Sequence, residues 1–287
     1  MARQLKAEVG GLNIRLHPHD PQRYRDLFAS LFKLKKIVPI YGDRSGLITS
    51  LQRISHDAMY IEGVITTFLD LDLKGDWFNT DTMEEASDND REKINVPEYL
   101  RPNIRTFFFS FDVENHELIF EHYGNGHRFS HQSAFNFFEN LVHDSNIMEK
   151  YGDVKISIIQ SKGSIDRIFS IPRITDIEIY IERPNSDLWG DDFEEQAEDH
   201  LGDKNARSMT VIYKSEKGSG IHRDEDLERL IRASIRNGKT VAKGYGNNGH
   251  EVVNTGRYPK IVQDKFDQDA FSSSEMFRRL ARVFRRR

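Results

Sequence analysis

The segment RTFFFSFDVENHELIFEHYG, residues 105–124, contains two apolar runs separated by a short polar stretch. Glu114 and Asn115 lie at the centre of this stretch, and asparagine tolerates the backbone geometry of tight turns. Two apolar runs joined by a tight turn are typical of a β-hairpin. The segment therefore predicts two neighbouring antiparallel strands.

Two further segments have the same pattern. Residues 46–54 and 59–73 are β-like runs joined by SHDA, and KTVAKGYGNNGHEVVNT, residues 239–255, carries Asn248-Gly249 between two runs. Asn-Gly between alternating apolar residues is a strong hairpin signal, because both residues tolerate the positive φ of the turn. Three hairpins indicate a fold built on antiparallel sheet.

Three helices are predicted from the residues at which they start. Asp20 before Pro21, Ser130 and Asp224 are each followed by apolar residues at helical spacing, and their side chains are suited to cap the first turn. Gly238 is expected to end the third helix. Lys33, Lys35 and Lys36 are expected to close the first helix, where cations suit the dipole.

The order of these elements predicts an α+β fold with two domains, residues 1–160 and 165–270. Each domain is expected to be a largely antiparallel sheet with helices packed on one face. Residues 271–287 are predicted to form a separate basic helix. Two acidic stretches interrupt the pattern, residues 76–92 as a solvated excursion and residues 187–203 as an acidic helix.

Composition limits the class of protein. There is no cysteine among the 287 residues, which excludes disulfides, thiol catalysis and thiolate metal sites. No stretch approaches the roughly 20 apolar residues of a membrane helix, and the first residues lack the apolar core of a secretory signal. We therefore expect a cytoplasmic globular protein without direct membrane insertion.

Metal and cofactor sites are not expected. The close histidine pairs are His17 with His19 and His127 with His131; the first pair flanks a proline, and the second straddles the predicted cap. Loop histidines satisfied by hydrogen bonds are the simpler interpretation of both pairs.

Catalytic motifs are equally sparse. Asp176 and Glu178 with Lys214 form only a contrived nuclease pattern on a regular strand, and no nucleophile elbow or kinase motif is present. GNGHRFS, residues 124–130, leads into a helix start beside Arg128, where backbone N–H groups are able to hold an anion. A tight glycine turn is the alternative, and an enzyme is not expected.

The most basic segment is the end of the chain, MFRRLARVFRRR. Six of the last ten residues are arginine, although the net charge of the protein is −5. On a helical wheel the apolar residues and the arginines separate into two faces, with Ser273 or Ser274 as the cap and Glu275 in the first turn. The apolar face contains Phe277, Leu280, Ala281, Val283 and Phe284. The basic face contains Arg278, Arg279, Arg282, Arg285 and Arg286.

Three uses of this helix remain open. Its arginines are suited to bind nucleic-acid phosphates, the whole helix is suited to lie on an anionic membrane, or its apolar face docks on the body or on a second subunit. The first use is favoured by other cations at positions expected to be exposed. These are Lys33, Lys35, Lys36, Arg44, Arg53, Arg232, Arg236, Lys239 and Lys243.

Several of these parts, in this order, resemble the RexA phage-exclusion proteins of temperate phages and a related bacterial family of unknown function. The similar parts are the hairpin with GNGHRFS and its aromatic helix, ITDIEIYIERPN, the later hairpin and the basic helix. The resemblance implies a two-domain, often dimeric DNA-binding protein without catalytic residues. It also implies anti-phage defence and a signal to a second defence protein.

The sequence thus predicts a non-catalytic protein that binds nucleic acid, more readily duplex DNA than RNA and without regard to sequence. Its contacts are expected from the basic face of the C-terminal helix, from Lys33, Lys35, Lys36, Lys239 and Lys243, and from Arg128. One alternative is an assembly subunit of a defence complex whose C-terminal helix docks on a partner. The other is a metal-dependent nuclease.

Overall fold

The computed structural model describes residues 4–18, 20–52, 59–182, 201, 203–247 and 249–286, without the side chains of residues 236 and 237. The described strands are β1 (Gln4–Arg15), β2 (Val38–Tyr41), β3 (Arg44–Leu51), β4 (Tyr60–Leu69), β5 (Phe78–Asn79), β6 (Glu84–Glu85), β7 (Arg105–Asp112), β8 (Glu117–Gly124), β9 (His127–Arg128), β10 (Lys155–Ile158), β11 (Arg173–Glu182), β12 (Ser208–Lys214), β13 (Gly238–Gly246), β14 (Gly249–Asn254) and β15 (Val262–Asp267). The described α-helices are α1 (Pro21–Lys33), α2 (Asp88–Arg91), α3 (His131–Val142), α4 (Ser145–Tyr151), α5 (Ser164–Phe169), α6 (Glu225–Asn237) and α7 (Ser273–Arg286).

The chain has an α+β fold, as the sequence predicts. The first sheet is antiparallel in the order β10-β1-β8-β7-β4-β3-β2, and β9 extends β8. The hairpin of residues 105–124 forms β7 and β8 in the middle of this sheet. The second sheet is antiparallel in the order β12-β11-β13-β14, and β5 pairs with β6 in a small separate hairpin.

Consecutive phenylalanines of β7 serve opposite faces of the first sheet, because side chains alternate along a strand. The Phe109 ring lies 5.9 Å from that of Phe138 in α3. The Phe108 ring lies 5.8 Å from that of Phe277 in α7, on the other side. Helices thus cover both faces of the first sheet, whereas the sequence predicted helices on one face. The difference arises because the apolar face of α7 closes over the second face.

The second sheet has α6 on one face. Leu227, Ile231 and Ile235 of α6 are buried against Ile177 and Ile179 of β11. The opposite face carries the polar residues that alternate with these isoleucines. The helix predicted to start after Asp224 is therefore confirmed as α6.

The two sheets separate between β10 and β11, close to the predicted domain boundary. The last strand, β15, departs from the predicted division into two domains. It lies within the predicted second domain in sequence, but it pairs with residues 4–9 of β1 in the first sheet. Residues 12–15 of β1 pair with β10. Val262 and Phe266 of β15 are buried beneath α7, so strand and helix join the first sheet together.

Local signals gave most helix starts correctly. Asp20, Ser130 and Asp224 each accept a hydrogen bond from a backbone N–H of the first turn, as predicted. The first helix ends earlier than expected, because Lys35 has a positive φ of 46° and lies beyond the last turn with Lys36.

One predicted turn differs in register, and other predicted features are not described. The hairpin of β13 and β14 pairs Gly246 with Gly249, so Gly249 belongs to β14 and not to the turn predicted at Asn248-Gly249. Asn248 itself, the SHDA turn and nearly all of the acidic stretch 187–203 lie outside the described residues. Within the described residues, no helix combines the length and apolar character needed to cross a membrane.

Candidate nucleic-acid interface

The C-terminal helix begins with a reciprocal cap. The Ser272 hydroxyl accepts from the Glu275 backbone N–H, and the Glu275 carboxylate accepts from the Ser272 N–H and hydroxyl. This capping box satisfies two N–H groups that a helix start leaves free. The cap is thus Ser272 and not Ser273 or Ser274, because only Ser272 has the three-residue spacing to Glu275.

The apolar face of α7 is part of the protein core. Met276, Phe277, Leu280, Ala281 and Phe284 are all buried, against apolar side chains of β1, β8 and β15. Each fully buried large apolar side chain contributes about 1.5–3 kcal/mol. The helix therefore docks on the body of its own chain, and this face is not available to a partner.

The two arginines nearest the start of α7 form ion pairs with carboxylates. Arg278 Nε lies 2.9 Å from Glu62 Oε2 of β4, and Arg279 Nη2 lies 3.6 Å from Asp264 Oδ2 of β15. Both guanidinium groups remain exposed to solvent, so these are surface ion pairs of modest strength. Their charge is largely balanced by the protein itself.

Arg285 points inward and is anchored. Its Nη2 donates to the hydroxyl and carbonyl oxygens of Ser110, and its guanidinium lies 4.3 Å from the centroid of the Tyr60 ring. Asp112 Oδ2 lies 3.6 Å from Arg285 Nε. Burial lowers the pKa of Arg285, and Asp112 opposes this shift. Arg285 thus joins α7 to β7.

Arg282 and Arg286 differ from the other three. They lie one helical turn apart, are exposed, and have no ion-pair or hydrogen-bond partner among the residues described. Their charge is therefore available to an external anion.

Arg286 lies on the rim of a cleft between the end of α7, the end of β10 and α6. The cleft has a volume of about 260 Å³. It is lined by Asn13, Asn115, Glu117, Ile159, Gln160, Lys162, Ile235, Lys260, Arg285 and Arg286. Four of these side chains are cationic and one is a carboxylate, so the cleft favours an anion. We call it the corner cleft.

Lys260 also completes the helix. Its Nζ donates to the Phe284 carbonyl at 2.7 Å and lies 4.2 Å from the centroid of the Phe284 ring. A cation at the C-terminal end of a helix satisfies a free carbonyl and suits the dipole. Lys162, in contrast, is exposed at the rim of the corner cleft, beside the short turn that leads into α5.

The predicted lysines of the first helix do not join this cluster. Lys33, Lys35 and Lys36 lie at the end of α1, on the face of the first sheet opposite α7. Lys36 Nζ lies 2.7 Å from Asp144 Oδ2, which balances its charge. The sheet itself separates these lysines from the arginines, so one continuous basic patch is not formed.

The other predicted cations are also dispersed. Lys239 and Lys243 are exposed on β13, where they pair in register with Tyr180 and Asp176 of β11. Arg232 pairs with Glu228 of the same helix at 3.2 Å.

Arg44 is buried, contrary to the expectation of exposure. Its Nη1 donates to Thr67 Oγ1 of β4 at 3.1 Å and to the Asn103 carbonyl at 3.3 Å. Arg53 and the side chain of Arg236 lie outside the described residues.

Arg128 is at the other end of α7. Ser273 Oγ donates to Asn125 Oδ1 beside β9, and a helix of 14 residues is about 20 Å long. Arg128 Nη2 lies 3.9 Å from Glu8 Oε2. Asn125 and Gly126 have positive φ, so GNGHRFS forms a tight hairpin turn, and Ser130 caps the following helix itself.

Two of the histidines, His122 and His131, lie together in a buried cluster with Glu8. His122 Nδ1 donates to Glu8 Oε2 at 2.8 Å, and its ring centroid lies 4.8 Å from that of His131. Burial lowers the pKa of His131 to about 4, which keeps its ring neutral. His127 is exposed on β9, and His19 lies outside the described residues. No three potential metal ligands converge in the described part of the chain.

Sequence reasoning missed the residues that complete the corner cleft. Lys162 lies between the two predicted domains, and Lys260 lies in a stretch without periodicity. A weak signal was available in residues 262–266, where apolar Val262 and Phe266 stand four residues apart on the same side of a strand, with Asp264 interrupting the apolar alternation between them. Recognising this strand would have brought Lys260 to the first sheet.

No curated protein matches the chain. A family model described as a domain of unknown function, DUF4747, matches residues 5–282, which is nearly the whole chain. The protein therefore belongs to the DUF4747 family.

Proposed function

We propose that the protein binds nucleic acid through its phosphates, at a surface formed by Arg282, Arg286 and Lys162. The observation that carries the proposal is the corner cleft, which is lined by four cationic side chains and one carboxylate. Arg282 extends this positive charge one turn along α7. Such a surface fits a polyanion better than it fits a small neutral ligand.

The chemistry of the side chains supports this class of partner. Arginine presents a planar fork of donors that matches phosphate oxygens, and lysine adds a compact charge. The net charge of −5 repels a polyanion from the rest of the surface. Binding would thus be confined to one place and would carry no direct information about base sequence.

The proposal is tested by substituting Arg282, Arg286 and Lys162 rather than by deleting the helix, because deletion would expose the core beneath α7. We expect R282A/R286A/K162A to bind a 20-base-pair duplex more weakly. Each lost phosphate contact lowers the slope of log affinity against log salt by about 0.9, so the slope falls by roughly 2–3. Fluorescence anisotropy over a salt series measures both quantities.

The matched control is K33A/K35A, which removes two exposed lysines from the opposite side of the first sheet. This control keeps the affinity and the slope of the unaltered protein. An unchanged affinity and slope in the triple variant contradict the proposal. The same titration on a duplex RNA and on a second DNA sequence tests the preference for DNA and its independence of sequence.

We also propose that the protein acts in the cytoplasm and that it binds nucleic acid without catalysing a reaction. If the protein is instead a metal-dependent nuclease, it cleaves the duplex in the presence of Mg²⁺, and a chelator stops the cleavage. Such cleavage would overturn the proposal that the protein is not a catalyst. The resemblance to RexA proteins extends the proposal to anti-phage defence by a homodimer. Plaque counts with the R282A/R286A/K162A variant and light scattering of the purified protein test these two points.

A further inference from the structure

The second sheet has one face that is turned away from α6. Side chains alternate along a strand, so the residues between the buried isoleucines of β11 point to this other face. The described strand residues of the buried apolar cluster all fall on the α6 side. On the other side, Ile212, Tyr245 and Val252 are 58%, 47% and 50% exposed. We call this side the open face.

The register of the strands brings lysines together on the open face. Lys214 of β12 and Lys243 of β13 pair with Asp176 of β11 from its two sides. Lys239 lies on the same face, because it stands four residues before Lys243 on β13. The ammonium groups of these lysines have no ion-pair or hydrogen-bond partner among the residues described, and all three side chains are exposed.

An exposed tyrosine lies beside these lysines. Tyr245 is two residues beyond Lys243 on β13, on the same face, and pairs in register with Arg173 of β11. The Arg173 guanidinium lies 4.8 Å from the centroid of the Tyr245 ring. A cation at this distance is attracted to the ring and helps to hold it in place. Tyr245 thus presents a supported and accessible aromatic ring next to the lysines.

The open face carries an excess of positive charge, although the net charge of the chain is −5. Glu182, at the end of β11, forms an ion pair with Arg15. The remaining carboxylates of the open face are Asp176 and Glu178, and its cations are Arg173, Lys214, Lys239 and Lys243. The face is therefore complementary to an anion that also has flat apolar groups.

A single strand of nucleic acid has these groups. Its bases stack on aromatic side chains, and sheets with exposed aromatic residues are a common platform for single strands. Its phosphates are attracted by lysine. Carboxylates accept hydrogen bonds from base amino groups, which gives Glu178 a role in the same site. A duplex keeps its base faces inside the stack, where Tyr245 does not reach them.

We propose that the open face binds a single strand of DNA or RNA, with a base stacked on Tyr245 and phosphates on Lys214, Lys239 and Lys243. This inference goes beyond the proposed function. It uses none of the cations of the corner cleft, so each proposal is able to fail without the other.

The experiment measures the anisotropy of a labelled 12-nucleotide single strand, as DNA and as RNA. Tyr245→Leu removes the aromatic ring and keeps an apolar side chain. The matched control is Tyr213→Leu, because Tyr213 is 40% exposed but lies on the α6 side of β12. Urea denaturation shows whether the variants are folded.

We expect Tyr245→Leu to weaken single-strand binding about tenfold, because one stacked base is lost, and Tyr213→Leu to leave it unchanged. K239Q/K243Q should lower the slope of log affinity against log salt by about 1.4, since each phosphate contact of a single strand contributes about 0.7. R282A/R286A/K162A should bind the single strand as the unaltered protein does.

A second measurement needs no variant. A 12-nucleotide strand without bases keeps its phosphates and has nothing to stack, so we expect the unaltered protein to bind it about tenfold more weakly. Equal affinity for this strand overturns the inference. A folded Tyr245→Leu variant without effect, or the same loss in Tyr213→Leu, also overturns it.

Three further results separate the possible outcomes. Single-strand binding that is lost in R282A/R286A/K162A and kept in Tyr245→Leu overturns the inference and keeps the proposed function. Single-strand binding with the expected losses, but without duplex binding, supports the open face and overturns the proposed function. If a second copy of the chain covers the open face, light scattering gives twice the mass, Tyr245→Leu lowers it, and no strand binds, which overturns the inference.

Discussion

The two halves of α7 carry arginines on the same face and use them differently. In the first half, Arg278 and Arg279 meet carboxylates of β4 and β15. In the second half, Arg282 and Arg286 have no such partner in the part of the chain that is described, and Arg286 borders the corner cleft. The strands beneath the helix, and not the helix itself, therefore decide which arginines are free to bind an anion.

The comparison assumes that both halves of α7 are packed equally well on the first sheet. The largest expected change in the free energy of unfolding tests this assumption. Phe284 is fully buried, and its ring lies so close to Gly11 that no Cβ would fit there. We expect Phe284→Ala to lower the free energy of unfolding by about 3–5 kcal/mol through a cavity in the core. Met276→Ala, in the first half, should lower it by about 2–5 kcal/mol.

Urea denaturation measures both variants. Val283→Ala, at a half-buried position of the same helix, is the control and should have a smaller effect. A loss below 1 kcal/mol for Phe284→Ala would show that the second half is not packed as described.

A buried carboxyl beneath the first half sharpens the contrast. Glu121 Oε2 accepts from the Phe108 backbone N–H, and burial raises the pKa of Glu121 from its usual 4.5 to about 7. Between these values the folded state binds more protons than the unfolded state, so the protein loses stability as the pH rises through this window. Glu121→Gln removes the titration and should gain stability over the unaltered protein from pH 5 to pH 8, by roughly 3 kcal/mol at most.

Thermal or urea unfolding at pH 5, 6, 7 and 8 measures this difference. His131, whose pKa is lowered to about 4, contributes the opposite slope below pH 6.5 in both proteins and cancels. Glu149→Gln, at an exposed position, is the control. A difference that does not change with pH would place the Glu121 carboxyl in water.

Arg285 separates stability from binding within the second half. Asp112 is buried, and Arg285→Ala leaves it without this cation, although the N–H groups of Glu114 and Asn115 still donate to it. We expect a loss of about 1–3 kcal/mol in the free energy of unfolding. Arg286→Ala, its neighbour, should leave stability unchanged and weaken DNA binding. Equal effects of both variants on stability would contradict the assignment.

The smallest effect is expected at Arg278. The exposed pair with Glu62 contributes at most about 1 kcal/mol, and its charge is balanced. Arg278→Ala should therefore keep both the stability and the salt slope of DNA binding, whereas Arg282→Ala, one turn later, should lower the slope by about 0.9. A matching loss in both variants would remove the distinction between the two halves.

The sequence predicted the features that depend on nearby residues. The α+β class, the hairpin of residues 105–124 and the caps Asp20, Ser130 and Asp224 follow from local periodicity and local hydrogen bonds. The two faces of α7 follow from helical spacing in the same way. The prediction failed at β15, because a strand that pairs only with the far end of the chain has no neighbouring strand to reveal it.

The sequence by itself determined that the chain ends in a helix with one apolar and one basic face, since the positions of side chains around a helix depend only on their spacing. Only the tertiary structure decided what each arginine does. Glu62 and Asp112, which balance two of them, lie far away in sequence, as do Asn13 and Gln160 of the corner cleft. Charge is balanced over a few ångströms of space, and folding alone sets those distances.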